Sequence, residues 1–271
     1  MAVRSSGRGA LAIAAAALAC GASLVRGQVV FSDNYSTDTT GNYTLTDGDP
    51  NEKSAWTVSN GVLNYSRTGT ASWSSSVFLL NPSIASTAGI PVANVSGDVI
   101  GATNYTTGNY YQPGLVISGD PTNGGFVVAE YENGKYQYHF VLLRETGAQL
   151  IGDEGGVTNP PVLADFGSIA GHLTDNYHIS ALIDRTGAHP VFNVSITDLT
   201  TGMPVVTGQT ATDSADPANY GGTQIGWRAR YDNNNAMFGV DNLSLVNAPE
   251  PASLGLVLVG AAGLMVRRRR S

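Results

Sequence analysis

The chain has 271 residues, a formal net charge of −7 and a single cysteine, Cys20. The charge is unevenly spread: between Gln28 and Ala248 seven basic residues stand against 20 acidic ones, a net −13. A body this acidic repels a phosphate backbone, which argues against a nucleic-acid partner, and one cysteine excludes a disulfide framework or a thiolate metal site.

In chain order, residues 1–27 read first as a signal peptide. Arg4 and Arg8 precede the apolar run Ala10–Ala19, and Val25-Arg26-Gly27 places small residues ahead of Gln28. Cleavage there removes Cys20. Lipoprotein processing at Cys20 is the rival, but Ala17 stands where such sites carry leucine.

The body, 28–247, has a length that an all-β sandwich reaches as one domain. Two segments read as surface excursions: the Ser/Thr/Gly-rich stretch from Thr68 to Ser76, with Trp73 inside it, and the loop from Gly152 to Asp175. Trp73, and Tyr110-Tyr111 beside Gly108, are candidates for stacking on polysaccharide; the plainer reading is that loop aromatics simply pack. Asn133-Gly134 predicts a two-residue type I′ hairpin. That register sets Tyr131 opposite Tyr136, Ala129 opposite Tyr138 and Val127 opposite Phe140, with Glu132 facing Lys135 on the other side. His139 then lies on the face opposite the tyrosines, as a partly buried structural histidine.

Further along, Ile179/Ala181/Ile183, Phe192/Val194/Ile196 and Ile225/Trp227/Ala229/Tyr231 alternate with more polar residues, as strands with one buried face do. Turns fall at Glu145-Thr146-Gly147, Asp184-Arg185-Thr186-Gly187 and Asp198–Gly202, and the oxygen-rich Asp232–Asn235 reads as another. Trp56 and Trp227 are expected in the core. No window of helical period competes in the body. The prediction is an all-β fold, an antiparallel two-sheet jelly-roll sandwich.

The segments Phe31-Ser32-Asp33-Asn34-Tyr35, Trp56–Leu63, Gly125–Ala129 with Tyr136-Gln137-Tyr138, and Phe238–Leu245 together resemble laminin-G-like, concanavalin-type jelly rolls. The resemblance implies a role for Asp241. In several jelly-roll carbohydrate-binding modules an aspartate of the last strand helps hold a structural calcium near the N-terminal strand, where Asp33 would be its partner. The alternative is a surface aspartate at a strand irregularity.

Catalytic spacing is missing. A retaining glycosidase needs two carboxyl groups about 5 Å apart, and laminarinase-type relatives carry them as Glu-x-Asp-x-x-Glu or Glu-x-Asp-x-Glu, strings this chain lacks. Glu130 and Glu132 share a strand face, but Lys135 and the turn account for Glu132. His139, His172, His178 and His189 follow no His-Glu-x-x-His spacing. The expectation is a non-catalytic protein, with a divergent polysaccharide hydrolase or lyase as the alternative.

Last, Pro249-Glu250-Pro251 precedes the mostly apolar stretch Ala252–Val266 and the cluster Arg267, Arg268, Arg269 and Arg270. As a helix the stretch spans about 22 Å, short of the about 30 Å hydrocarbon core, and the arginines favour a cytoplasmic end. Residues 248–271 resemble the PEP-CTERM sorting signal of Gram-negative bacteria. The resemblance implies transient inner-membrane anchoring, cleavage by an exosortase near Pro249-Glu250-Pro251, and release to the cell surface or an extracellular polysaccharide matrix.

Overall fold

The computed structural model describes residues 27–48, 54–67, 74–100, 111–131, 139–151, 162–168, 176–214, 221–231 and 237–248. The expected signal peptide, the Pro249-Glu250-Pro251 motif, the sorting helix and the arginine cluster lie outside them. Among the described residues no helix is long and apolar enough to cross a membrane.

The strands are β1 (Gln28–Asp33), β2 (Tyr43–Asp47), β3 (Ser54–Ser59), β4 (Val62–Arg67), β5 (Ser74–Leu80), β6 (Val92–Ile100), β7 (Tyr111–Asp120) and β8 (Gly124–Tyr131). They continue with β9 (His139–Glu145), β10 (Val162–Ser168), β11 (Tyr177–Asp184), β12 (Val191–Asp198), β13 (Pro204–Thr212), β14 (Gln224–Tyr231) and β15 (Phe238–Asn247); one short helix, α1 (Gly147–Ile151), follows β9. One sheet runs β13-β12-β11-β6-β15-β4-β3 with β1 added on β15, and the other runs β10-β9-β8-β7-β14-β5-β2. This is the expected all-β jelly-roll sandwich of two antiparallel sheets.

The two sheets use their faces differently. In the first, Tyr177, Ile179, Ala181 and Ile183 point inward while His178, Ser180, Leu182 and Asp184 stay half-exposed. Cross-strand pairs such as Ile179↔Ile196 and Ala181↔Val194 continue the inward row. In the inner strands of the second sheet both faces are buried. Phe140 and Leu142 enter the core between the sheets, while Val141 and Leu143 join Val77, Leu79, Val116, Val127, Ala129 and Leu150 of α1 on the outer face. An unbroken apolar run such as Phe140–Leu143 belongs in a strand covered on both sides. The alternation expected in β14 holds for its inward row, Ile225, Trp227 and Ala229, yet Arg228 is also fully buried on the other side.

That double burial explains a register correction. β8 and β9 pair as Tyr131↔His139, Ala129↔Val141 and Val127↔Leu143, three residues away from the register predicted from Asn133-Gly134. An odd slip exchanges faces, so Val127 and Phe140 end on opposite sides of the sheet. With apolar residues on both faces, hydrophobic alternation does not discriminate between the two registers. Residues 132–138, including Glu132, Lys135, Tyr136 and Tyr138, lie outside the described residues. The same turn chemistry operates instead at Asn60-Gly61, both at positive φ, joining β3 to β4 with Ser59 opposite Val62.

Two expected surface excursions contain strands. β5 begins at Ser74, and its Ser75 and Ser76 are fully buried. The 152–175 stretch contributes β10, an edge strand on β9 whose pairing is interrupted twice. Short alternation next to Pro160-Pro161 and Gly167 obscured it.

Candidate functional site

Trp73 and Tyr110 lie outside the described residues, as do Asp232–Asn235. Tyr111 opens β7 opposite Tyr231. Asp33 and Asp241, far apart in sequence, do fall on neighbouring strands, because β1 pairs with β15.

Asp33 is held internally. Its Oδ1 accepts the Tyr35 N–H at 2.9 Å, and its Oδ2 accepts the Thr39 hydroxyl at 2.6 Å and the Tyr43 hydroxyl at 2.9 Å. Behind it runs a buried relay: the Trp227 indole N–H donates to the Tyr35 hydroxyl at 3.0 Å, which donates to the Tyr43 hydroxyl at 3.1 Å. Burial pushes both phenols well above their ordinary range, and for Tyr43 the neighbouring Tyr35 adds to it. Both rings stay neutral donors, locking the N-terminal segment onto β14 of the opposite sheet.

Asp241 sits at the expected irregularity. Asn242 has φ 53°, so Val240 and Leu243, three apart, both face inward. Partial burial raises the Asp241 carboxyl above its ordinary range, and the charges of Asp98 and Asp33 push it the same way, against the Asn242 N–H that stabilises the anion. Asp98 in turn stands 2.6 Å from His178 Nδ1 and accepts the Asn242 amide at 2.7 Å. Among the described residues no group of three or more His, Cys, Asp or Glu side chains is arranged to hold a metal. His139 is partly buried as expected, with its Nδ1 2.6 Å from Asp165 on β10.

Two guanidinium groups are committed to carboxylates. Arg228 pairs with Glu145 at 2.9 Å with both side chains wholly buried, and Arg144 pairs with Asp213 at 2.5 Å.

A cleft of about 560 Å³ opens at one end of the sandwich. Its walls are the β5–β6 connection (Thr87–Pro91), the β11–β12 turn (Arg185–Pro190) and Gly221–Thr223 ahead of β14, with Phe126 of β8 below. Main-chain bonds stitch these segments together: Thr87 N–H donates to Thr223 O, and Arg185 N–H to Pro91 O, each at 2.8 Å. The buried Ser118 hydroxyl, not itself a lining group, ties three of the wall residues together. It donates to Gly222 O at 2.5 Å, accepts Arg185 Nη2–H at 2.6 Å, and lies 3.0 Å from the Thr87 hydroxyl. The register irregularity between Val116 and Ser118 sets Ser118 opposite the core residue Phe126, which turns the hydroxyl inward. Gly222 closes the wall, since a Cβ there would stand 2.3 Å from Asp120 N and Gly124 O. No residue of this cleft was singled out from the sequence as a binding group. Thr87, Ser118, Arg185 and Gly222 sit in four separate segments, and none lies in a local motif.

Residues 247–270 match the PEP-CTERM protein-sorting motif. The match implies an exported protein, anchored in the membrane before an exosortase processes it. No curated protein is detectably similar to the chain. Among solved structures, the Emp46p carbohydrate recognition domain in its potassium-bound form is 9% identical, with a TM-score of 0.50 over 83% of this chain and 98% of that one. A point mutant of the same domain is 8% identical, with a TM-score of 0.51 over 83% and 100%. A Bacillus subtilis protein described as having a galectin-like fold is 9% identical, with a TM-score of 0.48 over 82% and 97%. At these identities the likeness is one of fold: a lectin-like jelly roll.

Proposed function

We propose that the body is a non-catalytic glycan-binding module of a Gram-negative bacterium, delivered by its C-terminal signal to the cell surface or the extracellular matrix. The observation that carries the reading is the cleft. It combines an apolar floor at Phe126 with threonine, glycine backbone and one guanidinium, and among the described residues no carboxylate lines it. Such a mixture suits a sugar, which presents an apolar ring face and a rim of hydroxyls. A retaining or inverting glycosidase would need two carboxyl groups facing each other across it. The fold likeness to a carbohydrate recognition domain supports the same reading, and the sorting motif supplies the route to extracellular polysaccharide.

The test is binding of the purified protein to a glycan array and to bulk bacterial polysaccharides, with reducing ends assayed in parallel. Saturable binding without release of reducing ends is expected. Turnover of any bound polysaccharide would replace this reading with the hydrolase or lyase alternative. Absence of binding across the array would leave a purely structural matrix role.

A further inference from the structure

Among the described residues Arg185 is the one charged side chain lining the cleft. Unlike Arg144 and Arg228, it has no carboxylate within ion-pairing distance among the described residues. Its Nη2 donates to the Ser118 hydroxyl, while its Nη1 is shielded from solvent and has no acceptor. A guanidinium carries five N–H donors and no acceptor, and a largely desolvated cation without a counter-charge is costly to keep. Burial lowers the pKa of Arg185, the direction expected when nothing nearby compensates its charge. The adjacent Asp184 is engaged elsewhere, its Oδ1 accepting the N–H and the hydroxyl of Thr186. Two groups hold Arg185 in place: Pro91 O takes its main-chain N–H, and Ser118, itself tied to Gly222 O, takes its Nη2–H. A positioned cation that lines the cleft without a carboxylate partner among the described residues, beside an apolar floor, is preorganised for a ligand that brings a planar anion.

We infer that the cleft binds an acidic sugar, a uronic-acid residue of a polysaccharide, with its carboxylate on the guanidinium of Arg185 and its ring over Phe126. This rests on the glycan-binding reading and names its ligand class. The cleft volume of about 560 Å³ falls within the range of about 300–1,000 Å³ usual for small-ligand sites, and so admits one or two sugar residues at a time. The body's net −13 does not oppose this at short range. Exposed charges are largely screened beyond about 8 Å at physiological salt, and among the described residues no carboxylate lines the walls.

The experiment is calorimetric titration of the purified protein with three oligosaccharides matched in linkage and length: one bearing uronates, its carboxyl-reduced neutral counterpart, and a sulfated form. Arg185→Met, Arg185→Lys and Ser118→Ala are measured alongside. The uronate form is expected to bind at least about tenfold tighter than the neutral one, the scale of one charge-assisted contact. Arg185→Met should bring the two together, and Arg185→Lys should recover only part of the difference because it lacks the planar fork. Ser118→Ala should weaken the uronate selectively. Equal binding of uronate and neutral forms by the native protein overturns this inference and leaves the glycan reading intact. Absence of binding to all three, together with an empty glycan array, overturns the reading beneath it. A preference for sulfate over uronate overturns the carboxylate assignment. Should Arg185→Met fail to fold, competition on the native protein decides: free glucuronate must displace the uronate ligand where glucose does not.

Discussion

Replacing Tyr35 by Phe removes one oxygen atom from the buried relay and leaves the ring volume unchanged. In the native protein that hydroxyl accepts the Trp227 indole N–H at 3.0 Å and donates to Tyr43 at 3.1 Å, with Tyr35 and Trp227 both fully buried. Without it the indole N–H has lost this acceptor, and a buried donor left unsatisfied costs about 1–3 kcal/mol. Losing the bond to Tyr43 adds about 0.5–1.5 kcal/mol, for a total of about 1.5–4.5 kcal/mol. In a domain of this size each kcal/mol moves Tm by about 2–4 °C, so a fall of about 3–18 °C is expected. Urea and thermal unfolding of Tyr35→Phe, Tyr43→Phe and the double variant provide the measurement. Because the two hydroxyls share a bond, the cycle should show a coupling of at least about 0.5 kcal/mol. A Tyr35→Phe variant within about 0.5 kcal/mol of native, or strictly additive losses, would refute the idea that the relay anchors the N-terminal segment.

Two other perturbations probe the first sheet. A Cβ at Gly97 would stand 2.5 Å and 2.7 Å from two ring atoms of Trp227, so Gly97→Ala is expected to cost about 1–3 kcal/mol through overpacking, read from the urea midpoint; an unchanged midpoint would mean that the indole has room to move. At Asp241 the fold raises the carboxyl pKa, so the ionised group is destabilising above its folded pKa and harmless once pH falls below the unfolded value. Asp241→Asn should therefore stabilise at pH 7 in chelator-treated protein, by no more than about 0.5 kcal/mol because the site is partly exposed and screened, and the gain should vanish towards pH 3. A calcium-dependent rise in Tm in the native protein, lost in this variant, would instead place a cation between Asp241 and its neighbours.

The inward rows of β11, β12 and β14 were legible because one face of each alternates cleanly: Ile179, Phe192 and Trp227 were expected inside and are. The resemblance to jelly rolls put Asp33 and Asp241 near each other, and the topology sets their strands, β1 and β15, side by side. Register was not legible in β8 and β9. Alternation carries register information only when one face is polar, and Val127, Val128, Leu142 and Leu143 are all buried. The Asn-Gly signal was read in the right chemical terms, but the described two-residue hairpin that uses it is at Asn60-Gly61 rather than Asn133-Gly134. The buried Glu145–Arg228 pair joins residues of different strands, one expected in a turn and the other on an open face. The cleft illustrates the general limit. Arg185 reads as an ordinary turn residue until the topology brings it against Ser118, 67 residues away, with no carboxylate among the described residues to pair with it.

The strand order has a consequence for the journey that the sorting motif implies. β14 and β15 are the last two strands of the body, yet neither is an edge: β14 lies between β7 and β5, and β15 between β6 and β4. Until residues 224–247 are available, the second sheet is two fragments, the first is two fragments and an unpaired β1, and the core lacks Trp227, Phe238 and Leu243. A chain still emerging from the ribosome, or partly threaded through a translocation channel, therefore cannot close either ladder. Such late, long-range pairing makes for slow folding. In export of an unfolded chain, such a delay keeps the chain threadable until its final strands have passed.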